Sequence, residues 1–230
     1  MSATAVNLPA GSFRFWQTTV GKKAIMAVTG IILFGFVVGH LLGNLQIYEP
    51  PEKINHYAAL LKSLPALLWT TRIVLLVSVG LHIWSSFELW LLQREARPVK
   101  YVKKTNMNST YASRTMMWSG PIILAFVIWH LLQFTFGVAH PGAPFSETDV
   151  YNNVVLGFQV WPVSLFYIIA MTMLCYHLYH GLWSMFQSLG FSHPVYTPWL
   201  KVLAKVVAIV IAIGYISIPV SVLAGFIKPV

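Results

Sequence analysis

The sequence predicts an all-α membrane protein in which five transmembrane helices form one bundle, and three observations predict it. Of 230 residues, 57% are hydrophobic and 9% charged, against roughly 45–50% and about 25% in an ordinary soluble domain. The apolar residues fall into five runs, each long enough for the roughly 20-residue crossing of a bilayer. Trp16, Trp69, Trp90, Trp118, Trp161 and Trp199 stand near the ends of those runs, where amphipathic rings settle at the membrane interface. Five crossings consume about 100 residues, which leaves loops but no separate soluble domain, so residues 1–230 read as a single integral membrane domain. Cys175, the one cysteine, lies in an apolar run. It excludes an internal disulfide and any centre that needs several thiolates from this chain.

The first helix spans about 24–47, and the 23 residues before it hold no short apolar core followed by a small-residue cleavage site. No removed signal peptide is therefore expected. Residues 50–63 are too polar to cross. Ile54, Tyr57, Leu60 and Leu61 recur there at helical spacing, predicting an outer surface helix over about 52–63 with its apolar side on the bilayer. The remaining spans are about 65–93, 114–138, 159–187 and 200–226. Pro65 and Pro162 fall in first turns and do little harm, whereas Pro121 and Pro219 lie deeper and are expected to kink their helices.

Positively charged loops are retained in the cytoplasm during insertion. Arg14, Lys22, Lys23, Arg94, Arg97, Lys100, Lys103, Lys104, Arg114, Lys201 and Lys205 lie on one side, and Lys53, Lys62, Arg72 and Lys228 on the other. That asymmetry predicts a cytoplasmic N-terminus and 94–114 loop, with the first, third and fifth helices running outward. Because the basic residues fall between apolar runs, the net charge of +9 reflects insertion, and nucleic acid is not an expected partner. No internal repeat or low-complexity stretch is present.

Of eight histidines, His40, His82, His130, His177 and His180 lie within spans, where an ionisable group is expensive and marks a functional candidate. His40 lies 17 residues beyond Lys23 and His130 lies 16 beyond Arg114, which puts both roughly 25 Å from the cytoplasmic boundary. His82 comes 12 residues before Arg94 and His177 comes 13 before Gly190, roughly 18–20 Å from the same boundary. Two imidazoles facing one another at one depth, from two helices, are what a bis-histidine haem requires. The depths pair His40 with His130 and His82 with His177. The same ruler separates the two layers by only about 6 Å, too little for two stacked macrocycles, so the layering is qualitative. His180, three residues from His177, is almost equally plausible by spacing. The bland account of all four is interhelical hydrogen bonding.

Gly35, Gly39 and Gly43 recur beside His40 and form either a groove for a flat ligand or a close-packing stripe. Glu88, the only acid deep within a span, reads more readily as a partner for interfacial lysine or arginine than as a proton relay. Asn44, Gln46, Tyr48 and Gln133 form a polar fringe near the outer pair, more readily water-facing than ligand-binding.

The run from Gly21 through Gly30, followed by His40-Leu41-Leu42-Gly43-Asn44-Leu45, resembles the opening of the cytochrome b membrane subunit of succinate dehydrogenase and fumarate reductase in its single-chain, five-helix, di-haem form. Further similarities are Asn55-His56-Tyr57, the segment Ala96 to Tyr101, Ala112-Ser113-Arg114 with Ser119-Gly120, and the run His177 to Ser184. The resemblance spans about residues 11–190, and the fifth helix matches only in being apolar. It implies two haem b groups held by His40 with His130 on the outer side and by His82 with His177 on the cytoplasmic side. It favours His177 over His180, because the family's ligand is the first histidine of its His-x-x-x-Gly-Leu run. It further implies a flavoprotein subunit and an iron–sulfur subunit docked on the cytoplasmic face, a quinone partner with menaquinone favoured, and residence in the inner membrane of a prokaryote. On that reading the chain anchors the complex and relays electrons between the iron–sulfur subunit and quinone. The docking surface would comprise Arg14, the 94–114 loop and the 188–200 turn.

Three other readings compete, one of them a purely structural anchor without haem; loss of the histidine ligands would mark that state, and all four are present here. A different bis-histidine transmembrane cytochrome b reductase would carry haem without a large complex. A haem-free proton-coupled transporter would use the histidines as proton carriers, but the inverted repeats such folds favour are not visible.

Overall fold

A computed structural model describes residues 14–96, 99 and 109–230. Arg97, Lys100, Lys103 and Lys104 of the basic loop, with Pro98 and Tyr101 of the resemblance, lie outside the described residues. The described chain is an all-α membrane bundle of seven helices: α1 (Thr19–Asn44), α2 (Pro51–Lys62), α3 (Pro65–Glu95), α4 (Tyr111–Phe134), α5 (Val150–Gln159), α6 (Trp161–Ser188) and α7 (Thr197–Leu223). Helices α1, α3, α4, α6 and α7 are long and apolar enough to cross a membrane. Their flanks expose large apolar side chains such as Leu76, Trp118 and Ile213, surface that hydrocarbon accepts and water does not. The protein is an integral membrane protein.

Helix starts lie where local hydrogen bonding can satisfy them. Thr18 caps α1 by accepting from the Gly21 N–H at 2.9 Å, so the first span begins five residues before the expected 24 and carries Lys22 and Lys23 inside it. Thr110 likewise caps α4 through Ser113 N–H. Proline opens α2 and α3, and lies in the first turn of α6 and α7, positions that lack an N–H acceptor in any case. The end of α4 falls at Phe134 rather than 138 because the chain turns at Gly137, whose φ of 67° is open to glycine at little steric expense.

Helix α1 packs on α3 and α6, α4 packs on α6, and α7 lies along α6 with a smaller contact to α1. Lys22 donates to Glu88 at 2.7 Å, bridging the start of α1 and the end of α3. Glu88 is thus the ion-pair partner its position favoured. One end of the bundle carries this pair, Arg114 and Lys201 and is called the basic end below.

Helix α5 corrects the sequence reading, which left 139–158 as connection. Asp149 caps it by accepting from Asn152 N–H, and its Tyr151, Val154, Val155 and Phe158 enter a core with Ile47, Ile54, Tyr167 and Ile218. Ten residues are too few to cross a bilayer, which is why a search for spans passes over it. Its presence also changes α2. Ile54 is buried in that protein core rather than laid on lipid, and Asn55 bonds both Asp149 and the Tyr151 N–H. The two short helices cap the end opposite the basic one.

Candidate functional site: two cross-helix histidine pairs

Each pair comes from two spans that run in the same direction, α1 with α4 and α3 with α6, held level by their antiparallel neighbours. Thr29 and Gly30 on α1 stand beside His82 on α3: Thr29 Oγ1 is 3.2 Å from His82 Nδ1, and a Cβ on Gly30 would touch the imidazole at 3.6 Å. Ser119 on α4 stands beside His177 on α6, with Oγ to Nδ1 at 3.3 Å. His82 and His177 then face each other with ring centroids 6.2 Å apart and planes at 53°. His40 on α1 and His130 on α4 do the same at 5.7 Å and 84°. His180 faces no second histidine; its ring meets Trp183 edge-on at 5.5 Å.

The separation between layers follows from the same registry. Thr29 is level with His82, and His40 lies 11 residues further along α1; Ser119 is level with His177, and His130 lies 11 residues further along α4. Two independent helices thus put the layers roughly 16 Å apart. This replaces the 6 Å of the sequence ruler. That ruler took Arg94 as level with Lys23, whereas α3 continues seven residues past the Lys22-paired Glu88 to Glu95.

Hydrogen bonding assigns the protons on two of the four rings. The Thr29 hydroxyl donates to Ile25 O at 2.7 Å, so its single hydrogen is committed and His82 Nδ1 must be the donor toward it. Ser119 Oγ stands 3.3 Å from both Met116 O and His177 Nδ1, so its hydrogen can go to either and leaves the His177 tautomer open. Tyr167 donates to Gln133 Oε1 at 3.0 Å and stands 3.2 Å from His130 Nδ1, so that nitrogen also carries its hydrogen. In a neutral imidazole the Nε2 of His82 and that of His130 are then the lone-pair nitrogens. Among the described residues no Nε2 of His40, His82, His130 or His177 makes a hydrogen bond.

This chemistry fits haem. Two imidazoles trans on one iron, each with about 2 Å from nitrogen to metal and about 1 Å from nitrogen to ring centre, have centres roughly 6 Å apart. Neither pair is stacked face to face, an arrangement that could not aim both nitrogens at one atom. Gly35 and Gly39 near His40, and Gly120 and Gly181 near His177, would meet nothing within 4 Å on gaining a Cβ, leaving these helix faces clear. Gly43 differs, because its Cβ would strike the Tyr57 ring at 2.8 Å; it serves helix packing, not the groove. Among the described residues no group of three or more His, Cys, Asp or Glu forms; the two couples are two-histidine arrangements.

The sequence reading gave Thr29, Ser119 and Tyr167 no role at the histidines, naming the first two only within motifs of the resemblance. A hydroxyl within a span is common, and only the packing shows which ones meet a histidine. Gln133 was expected to meet water but is fully buried, receiving Trp129 Nε1–H at 2.9 Å as well as Tyr167. Asn44 turns back onto His40 O, and Tyr48 donates to Ser217 on α7.

No family model matches the chain, and no curated protein or solved structure gives a match to it.

Proposed function

We propose that this chain is the di-haem cytochrome b membrane-anchor subunit of a succinate:quinone oxidoreductase, in the inner membrane of a prokaryote with its basic end in the cytoplasm. The observation that carries the haem reading is the pair of cross-helix histidine couples at 5.7 and 6.2 Å, with Nδ1 committed on His82 and His130. The resemblance of the motifs around His40 and His177 carries the assignment to succinate dehydrogenase and fumarate reductase.

Bound haem, which His40 with His130 and His82 with His177 would hold, would supply one-electron transfer. The residues of this chain hold and orient it. Thr29, Ser119 and Tyr167 would restrain ring rotation, and Thr29 and Tyr167 the tautomer as well, as partners around metal-bound histidine do. The apolar flanks of α1, α3, α4 and α6 exclude water from the pairs. The flavoprotein and iron–sulfur subunits would dock on the basic end, where an acidic patch would meet Arg14, the 94–114 loop and the 188–200 turn. A quinone, with menaquinone favoured, completes the circuit. Facing pairs favour this reading over a transporter, whose proton-carrying histidines need no partner ring 6 Å away.

The test is a visible spectrum of the detergent-purified complex, oxidised and reduced, with haem counted per chain and co-purifying subunits identified. Two low-spin b haems per chain with flavin and iron–sulfur subunits is the expected result. Colourless protein from an intact preparation refutes it. His177→Ala should remove the inner haem alone, and retention of both haems would move the ligand to His180.

A further inference from the structure

One turn from His177 toward the basic end, α6 carries two buried polar atoms with no hydrogen-bond partner, His180 Nδ1 and Trp183 Nε1. They belong to neighbouring rings, and Lys201 of α7 places its Nζ 4.7 Å from the centre of the Trp183 ring. The indole nitrogen and the ammonium can only donate, and the imidazole nitrogen can donate. Leaving the indole or imidazole N–H unpaired in a buried place is unfavourable, so each normally has an acceptor, whereas the Lys201 side chain is exposed and free to reach toward it. No acid of this chain supplies it. All six acidic residues lie among the described residues, and the sole ion pair found there is Lys22 with Glu88. Beside the cluster, Gly181 lies four residues from His177 on nearly the same face of α6, and a Cβ there would meet nothing within 4 Å.

We propose that His180, Trp183 and Lys201 form a carboxylate-binding site below the inner histidine pair, which receives a carboxylate from the edge of the macrocycle held by His82 and His177. The inference rests on the haem reading above and goes beyond it. It gives His180 a role other than ligation, that of a positioning residue. Two buried N–H donors and one ammonium at the rim would together offset the charge of one acidic group. They also make an added electron on the nearby iron more favourable. Macrocycle edge and docked acidic side chain share this chemistry, and the commitment to the macrocycle follows from the clear face at Gly181 and the one-turn spacing from His177.

The experiment uses the purified intact complex carrying Lys201→Met, Trp183→Phe or His180→Phe, with Lys201→Arg as the charge-preserving control. The inner and outer midpoint potentials are measured by redox titration, and the carboxylate side-chain bands by resonance Raman. Each of the first three variants is expected to shift the inner reduction equilibrium about three- to tenfold toward the oxidised form, tenfold being 59 mV for one electron. The outer midpoint stays put, the Raman band moves, and Lys201→Arg remains near the parent. An unmoved inner midpoint and Raman band in all three variants overturns the proposal. So does loss of the partner subunits with both midpoints unchanged, which would assign the carboxylate to a docked protein. In both those outcomes two haems remain bound and the proposed function stands; absence of haem from the parent complex would defeat that function and this site together.

Discussion

Replacing Tyr167 by Phe removes one oxygen and keeps the ring that packs against Phe126, Phe134 and Phe158. Two hydrogen bonds disappear, the one to Gln133 Oε1 at 3.0 Å and the one from His130 Nδ1 at 3.2 Å. Hydrogen bonds between membrane helices average about 0.6 kcal/mol, with a maximum near 1.7. Their loss, with a buried imidazole N–H left without an acceptor, destabilises the fold by about 1–3 kcal/mol. The larger expected consequence is at the outer pair. Partners of metal-binding histidines contribute about 10–100-fold in affinity, equivalent to about 1.4–2.7 kcal/mol. Under the proposed di-haem function, the assay is haem retention in detergent on stepwise dilution into a haem scavenger, followed in reduced-minus-oxidised spectra that resolve the two centres. The outer haem should dissociate 10–100-fold more readily while the inner haem, whose Nδ1 partners Thr29 and Ser119 are untouched, dissociates as in the parent. Equal retention of both haems in the Phe variant would refute the tautomer argument, since His130 would then need no acceptor at Nδ1.

Lys22→Met leaves Glu88 without its partner; the lysine is 9% exposed and the carboxylate 35%, so solvent discounts the loss to about 1–2 kcal/mol. Thermal unfolding in detergent should show this, and a Lys22→Met/Glu88→Leu cycle should recover part of it, whereas strictly additive effects would mean the two do not interact. Gly21→Ala places a methyl group against the Phe15 carbonyl, so the turn before α1 must open, at about 1–3 kcal/mol; an unchanged melting temperature counts against that packing. Burial alone would raise the Asp149 carboxyl, but hydrogen bonds from Asn152 and Asn55 outweigh it and hold the group below its ordinary value. Its folded pKa is therefore lower than its unfolded one, and its stabilisation is full above the ordinary aspartate range and lost as pH falls through the folded value. Hydrogen exchange in α5 should accelerate across that acidic window in the parent, and Asp149→Asn should abolish the dependence.

The number of spans and their approximate limits could be read without coordinates, because a bilayer requires a long apolar run for every crossing, and composition alone reports such runs. The four histidines were legible for a related reason: an ionisable side chain stands out against hydrocarbon wherever it occurs. Depth counted along each helix also grouped them correctly with the couples that face each other in space, since helical rise is constant. Where counting failed, it lacked a common zero. Arg94 and Lys23 looked equivalent as boundary charges, and only the Lys22–Glu88 contact reveals that α3 overshoots it. Helix α5 was invisible as a span because it is too short, and as a surface helix because its apolar side is matched to α2 and α7 rather than to lipid. The choice between His177 and His180 turns on helix rotation, about 60° for three residues, which packing against α4 sets. Which of the many span hydroxyls meets an imidazole was likewise decided by tertiary structure alone. Thr29, Ser119 and Tyr167 differ from their neighbours only in what the opposing helix places about 3 Å away. Local sequence reports each residue's cost of burial; it does not report the partner that repays it.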